Sequence, residues 1–209
     1  MTSQPRRRYV SAQRKGAAEA TRAHVLAAAK ALFSERGIDK VTIAEVARSA
    51  GVAGSTVYAL FSSKAGILRA LMQGALFGPG YEAAQQELDG VDDPVRLVEL
   101  TAGVARAVYE GESVELGVLR GASAFSADLR ETEAEFERLR REMQRPRLER
   151  LFAAGHARRD LDFARAQQLM WMYTSRDVYR MLVHDSGWTP DTYQAWLART
   201  LVEALVEPA

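Results

Sequence analysis

The sequence predicts an all-α fold: an amino-terminal three-helix helix-turn-helix domain plus a larger helical domain (about nine helices). Three observations predict it. Apolar residues recur at helical spacing through nearly the whole chain, caps and breakers punctuate those runs, and no stretch shows the alternation of a strand.

The elements follow in order. Val25, Leu26, Ala29, Leu32 and Phe33 make one apolar stripe, and Gly37 is placed to cap its end. In "VTIAEVARSAG", Thr42 and Glu45 have the spacing of a capping box, in which each side chain satisfies the other's orphan backbone donor. Ile43, Val46, Ala47 and Ala50 form the apolar face, and Gly51 stops the helix. A third short helix runs from Ala53 to about Leu60, with Ala53, Val57 and Leu60 toward the core. Ser62 or Ser63 caps a fourth helix whose stripe is Ile67, Leu68, Leu71, Met72, Ala75 and Leu76. "GPG" at Gly78 to Gly80 is the first strong breaker, so the expected domains are 1–70 and 71–209. Asp93-Pro94 reads as a cap followed by proline at the first helical position, ahead of Leu97, Val98, Thr101, Val104, Ala105 and Val108. Residues 112–126 read as a further apolar helix. A charged helix follows over 127–154, which Pro146 is expected to kink or divide. Two apolar helices, 163–184 and 190–206, finish the chain.

Composition bounds the function. The 209 residues are 47% hydrophobic and 26% charged and contain no cysteine, so disulfide frameworks and zinc–thiolate sites are excluded. Arg6, Arg7 and Arg8 precede a polar stretch rather than an apolar one, which argues against a secretory signal, and no apolar window is long enough to span a bilayer. A cytoplasmic protein without membrane association is expected. Net charge is +1 but unevenly spread: residues 1–70 hold twelve Lys/Arg against four Asp/Glu, a balance of +8, leaving −7 on the rest. That is a cationic head suited to a polyanion on an acidic body.

The turn "SAGVA" between the second and third helices has the glycine and small apolar residue that a helix-turn-helix needs where the chain reverses. On the third helix, Gly54, Ser55, Tyr58 and Ala59 fall opposite the core with Thr56 at the border. This face is small and uncharged apart from one phenol, so it can approach closely within a major groove about 12 Å wide. The Ala59 methyl suits a thymine methyl and a serine hydroxyl suits several base edges. Arg6 to Arg8, Arg48 and Lys64 on the flanks would supply the attraction, since phosphate contacts position a protein while base contacts specify the site.

"VLAAAKALFSERGIDKVTIAEVARSAGVAGSTVYALFSSKAGIL", Val25 to Leu68, resembles the DNA-binding domain of tetracycline-repressor-type (TetR, AcrR-like) transcriptional regulators. The features that carry the resemblance are "AA..LF.E.G", "T...VA..AGV" and "TVY..F.SK..L". It implies that Thr42, Thr56, Tyr58 and Lys64 contact the phosphate backbone and that Ser55 and its neighbours read bases. Gly54 stands where many members carry a polar or basic residue, and Ser55 replaces a common glycine. Both departures shift readout toward Arg7 and the amino-terminal arm, or toward DNA shape. Thr42 also has its capping role, Tyr58 could instead pack on the second helix, and Arg6 to Arg8 could be a solvated tail.

The resemblance further implies a homodimer on a palindromic double-stranded operator, with recognition helices about 34 Å apart. It also implies a small-molecule effector, largely apolar or aromatic, that releases the DNA. The dimer face is expected on the last helix at Trp196, Leu197, Leu201 and Leu205, with intramolecular burial as the alternative. Candidate effector-binding residues are Phe77, Tyr109, Phe125, Met143, Trp171 and Tyr179, because aromatic and thioether side chains suit an adaptable apolar pocket. No cofactor, metal site or catalytic residue is expected. His24, His156 and His184 are scattered, and there is no nucleophile elbow or phosphate-cradling loop. A ligand-independent architectural DNA binder and a small helical enzyme are the competing classes.

Overall fold

A computed structural model describes residues 6–110 and 127–208, the side chains of 6–15, 75, 76 and 127–129 excepted. Phe125 and the expected helix at 112–126 therefore lie outside the described residues. The described chain is helical, with one isolated bridge between Ala157 and Val206. It divides into two compact units, residues 6–72 with 127–130 and residues 73–110 with 131–208.

In the first unit, α1 (Arg6–Arg36) ends at Gly37, whose φ of 80° follows a bond from its N–H to the Phe33 carbonyl. The basic cluster Arg6 to Arg8 lies within α1. A 3-10 turn (Ile38–Lys40) leads to α2 (Ile43–Ser49), α3 (Gly54–Phe61) and α4 (Lys64–Leu76). Val25, Ala29, Phe33, Ile38, Val41, Val46, Val57, Phe61, Ile67 and Leu68 form the core of this unit. Phe61 takes the core position expected of Ala53, which is exposed because it precedes the helix as its cap. Burying these side chains at about 25 cal/mol per Å² of apolar surface is the main drive for so small a unit.

In the second unit, Gly78 caps α5 (Pro79–Gln86), which has proline in its first turn. Asp93 Oδ1 accepts from the Val95 N–H at 2.9 Å to start α6 (Pro94–Glu110). The long helix α7 (Ala127–Ala153) runs through Pro146 undivided. Proline removes one N–H from the ladder, and buried Arg147, Leu148 and Leu151 just beyond it hold the last turns in place. The expected single helix over 163–184 is broken. α8 (Phe163–Tyr173) stops at Thr174, Ser175 caps the short α9 (Arg176–Tyr179), and a π-helical turn (Arg180–Asp185) continues it. α10 (Pro190–Leu205) starts from the Thr189 cap and packs along α6.

Candidate nucleic-acid interface and effector region

The turn between α2 and α3 is built from backbone bonds. Gly51 has φ 67°, its N–H bonds the Arg48 carbonyl at 3.2 Å, and the Val52 N–H bonds the Ala47 carbonyl at 3.0 Å. This is a Schellman motif, and it explains why glycine stands at the bend. At the other end of α2 the capping box is formed. Glu45 N–H donates to Thr42 Oγ1 at 3.2 Å, and Thr42 N–H donates to Glu45 Oε2 at 2.8 Å. Arg36 adds an ion pair with Glu45 at 2.9 Å. The Thr42 backbone N–H, then its hydroxyl, then Arg36 hold the Glu45 carboxyl down to about 2.

A second close fit joins α3 to α4. Ser62 has φ 62°, and the Gly66 N–H donates to Ser63 Oγ at 3.1 Å. A Cβ on Gly66 would overlap the Phe61 carbonyl oxygen, so no larger residue fits without moving backbone. Sequence reasoning did not single out Gly66. Its position in the first turn of a helix, where alanine would be preferred, was the available signal.

The structure brings the expected DNA contacts to neighbouring positions of this unit. Ser55, Tyr58 and Ala59 are exposed on α3, with Tyr58 56% exposed, so Tyr58 does not pack away on α2. Gly54 and Thr56 are half-buried beside them, and Arg48 is exposed on the last turn of α2. Thr42 is exposed, but its hydroxyl is engaged in both directions with Glu45. Lys64 is half-buried and donates from Nζ to the Ile38 carbonyl at 3.0 Å, leaving two of its protons for another acceptor. Arg7 lies in α1 and its side chain is outside the described residues. Arg22, which was not among the expected contacts, stacks 4.7 Å over the Phe61 ring.

Residues 25–71 match the family model described as "Bacterial regulatory proteins, tetR family". Those residues carry the amino-terminal domain of the TetR family. The HTH-type transcriptional regulator TtgR of Pseudomonas putida is 32% identical over 78 residues, a match that spans 37% of each chain. Among solved structures, NalD is described as the secondary repressor of the MexAB-OprM multidrug efflux pump in Pseudomonas aeruginosa. It aligns with TM-score 0.69 over 91% of this chain and all of its own, at 22% identity. SmeT, solved as a triclosan complex, aligns with TM-score 0.70 over 91% of this chain and 93% of its own, at 21% identity. At these identities the structures show the fold. It is the all-helical fold of these two proteins.

The second unit separates the described effector candidates into three places. Phe77 meets Tyr81 with ring centroids 5.1 Å apart and Phe136 at 6.2 Å, and Tyr81 Oη donates to Met143 Sδ at 3.6 Å. Tyr109 and Tyr179 are buried core residues 5.5 Å apart, and Tyr109 donates to the Thr174 carbonyl. Trp171 stands apart, donating to Glu137 at 2.6 Å beneath the Arg141 guanidinium, on a cleft of about 330 Å³. A larger open cavity of about 540 Å³ lies among the end of α4, α5, α6 and α10; Tyr81, Gly103, Arg106, Glu110 and Gln194 are on its wall. None of the expected effector residues among those described lines it, because periodicity marks apolar faces and cannot show which of them close on one another.

The dimer expectation needs correction in three of its four residues. Leu197, Leu201 and Leu205 have no exposed surface in the single chain, where they pack in its own core. Trp196 is half-buried, edge-on to Trp188 at 5.9 Å. Large apolar side chains left exposed in this unit are Leu139, Met172 and Met181.

No helix of the described residues is long and apolar enough to cross a membrane, and none of those residues forms a metal-binding cluster. His24, His156 and His184 are all exposed; His184 touches the Tyr179 ring edge-on.

Proposed function

We propose that the protein is a homodimeric cytoplasmic repressor that binds a palindromic operator through α3 and leaves it when a small molecule occupies the second unit. One observation carries the DNA reading: a short helix presents a small, neutral, exposed face of Ser55, Tyr58 and Ala59, set by a glycine turn beside Arg48 and Lys64. Such a face enters the major groove while cations on its flanks meet phosphates. Thr42, Gly54, Thr56 and Arg7 complete the proposed contact set. The description of NalD as a repressor and the solution of SmeT with triclosan support control by an effector.

Release follows from linkage. An effector that binds better to the dimer whose α3 helices are wrongly spaced for DNA lowers operator affinity by that difference. With Leu197, Leu201 and Leu205 committed to the monomer core, we assign the dimer contact to the remaining surface of α8 to α10, where Met172, Met181 and Trp196 stand.

The test is footprinting against inverted repeats next to the protein's own gene, with light scattering for mass. The expected result is a dimer protecting two half-sites one helical turn apart, with affinity falling as salt rises. A monomer, or protein indifferent to every such repeat at low ionic strength, overturns the reading.

A further inference from the structure

Arg147 is 8% exposed, and among the described residues its guanidinium donates only to neutral oxygens: Thr101 Oγ1 at 3.3 Å and Gln85 Oε1 at 3.4 Å. No carboxylate among the described residues pairs with it. Its helix shows the contrast. Arg140, Arg145 and Arg150 are less buried, yet they pair with Glu137, Glu149 and Asp92. Burial lowers the Arg147 pKa from its ordinary value, but a guanidinium stays charged in proteins, so a cation is held in the interior by two long bonds. Buried charges are ordinarily paired, and an unpaired one costs folding free energy.

The surroundings point to what it pairs with. The Thr101 hydroxyl donates to the Leu97 carbonyl at 2.9 Å, so only its lone pairs face the arginine. Gln85 Nε2 donates to Tyr81 Oη at 2.7 Å, and Tyr81 lines the cavity of about 540 Å³. A short hydrogen-bonded chain thus links that cavity's wall to the buried cation. Phe77 and Met143 flank the same tyrosine and Phe136 packs on Phe77, a continuous aromatic and thioether surface.

We propose that Arg147 is the anion-binding end of the effector site, taking the acidic group of a small organic anion whose apolar body rests on Phe77, Tyr81, Phe136 and Met143. This rests on the effector reading above and narrows it from apolar molecules to amphiphilic anions. Gln85 and Thr101 orient the guanidinium, which offers a forked donor pair matched to a carboxylate or sulfonate.

Two fluorescent dyes of one ring system test it: 8-anilinonaphthalene-1-sulfonate and its neutral parent N-phenyl-1-naphthylamine. Titrated into the full-length protein without DNA, the sulfonate is expected to bind at least about tenfold tighter than the parent. Arg147→Met, which keeps the stem and removes the charge, is expected to abolish that ratio and to raise the melting temperature. Arg147→Lys keeps the charge but loses the fork and should cut the ratio about threefold. A wild-type ratio below about threefold overturns the proposal, as does a ratio that Arg147→Met leaves unchanged. Should Arg147→Met fail to fold, a wild-type ratio retained in Arg147→Lys overturns it equally. Dye binding is read apart from the operator, so an anion that binds without releasing DNA sinks the effector reading alone.

Discussion

In the amino-terminal unit the polar groups that hold the turns are near neighbours in sequence: Thr42 with Glu45, Gly51 with Arg48, Gly66 with Ser63. Its core is apolar throughout. In the second unit, buried polar groups meet across long separations. Thr174 receives Tyr109, Arg140 and Gln144 from two other helices, Arg147 reaches Thr101 and Gln85, and the Gln144 Oε1 and Tyr193 Oη atoms are buried without a partner among the described residues. The difference teaches where each unit has adaptability. A unit that must hold one face toward a regular duplex is fixed by local backbone devices. Interior polar groups that are incompletely matched mark a region whose arrangement another molecule can change.

The sharpest way to break this contrast is Gly66→Ala. If local backbone fit governs the first unit, a methyl driven into the Phe61 carbonyl oxygen must displace α4 from α3. The expected cost is about 3 kcal/mol or more, with operator binding lost at temperatures where the second unit remains folded. Denaturant unfolding followed by far-UV circular dichroism checks it. A cost below about 1 kcal/mol would mean that the turn yields easily.

Leu201→Ala asks the same of the second unit. With no exposed surface in the monomer, Leu201 is expected to cost about 3 kcal/mol of intramolecular stability. If it instead faced a partner subunit, the variant would weaken dimerisation and make the melting temperature steeply concentration-dependent. Melting curves at two widely separated concentrations distinguish the two.

Lys64→Met comes next. It removes a charged donor from the Ile38 carbonyl, at about 1.5–2 kcal/mol. If Lys64 also meets a phosphate, operator affinity should fall without relaxed sequence preference, and the slope of log affinity against log salt should drop by about one contact. Lost stability with an unchanged slope would leave Lys64 a purely internal tie.

These residues also show what the sequence made legible. The capping box, the Gly51 turn and the α3 face were readable because each involves residues within four or five positions. The Leu197, Leu201 and Leu205 stripe was readable as buried, but periodicity says which face is covered and not by what. Leucines packed on α6 look the same in sequence as leucines packed on a second chain. Gly66 was missed because the fit depends on where the Phe61 carbonyl comes to lie. Arg147 was passed over among the many charges of α7, although its spacing with Gln144, Leu148 and Leu151 places it on the buried side. The break at Thr174 escaped because the bonds that stabilise it arrive from α6 and α7.

The smallest effect tests whether the local devices are coupled to pH. The folded protein holds the Glu45 carboxyl at about 2 against an ordinary value of 4.5. A depressed acid contributes stability that is fully present above the ordinary value and disappears as pH falls through the folded one. The window is therefore pH 4.5 down to about 2, with nothing expected at neutral pH. Glu45 is partly exposed and its partners are screened by water, so the change should be a shallow slope rather than a collapse. Thr42→Val removes the hydroxyl that Glu45 accepts from, and Glu45→Gln removes the titrating group itself. Both should flatten the slope of the amino-terminal unit's unfolding free energy in that window, and neither should alter the second unit's. An unflattened slope in Glu45→Gln would show that acid destabilises this unit through some other carboxylate, leaving the capping box as geometry without an electrostatic share.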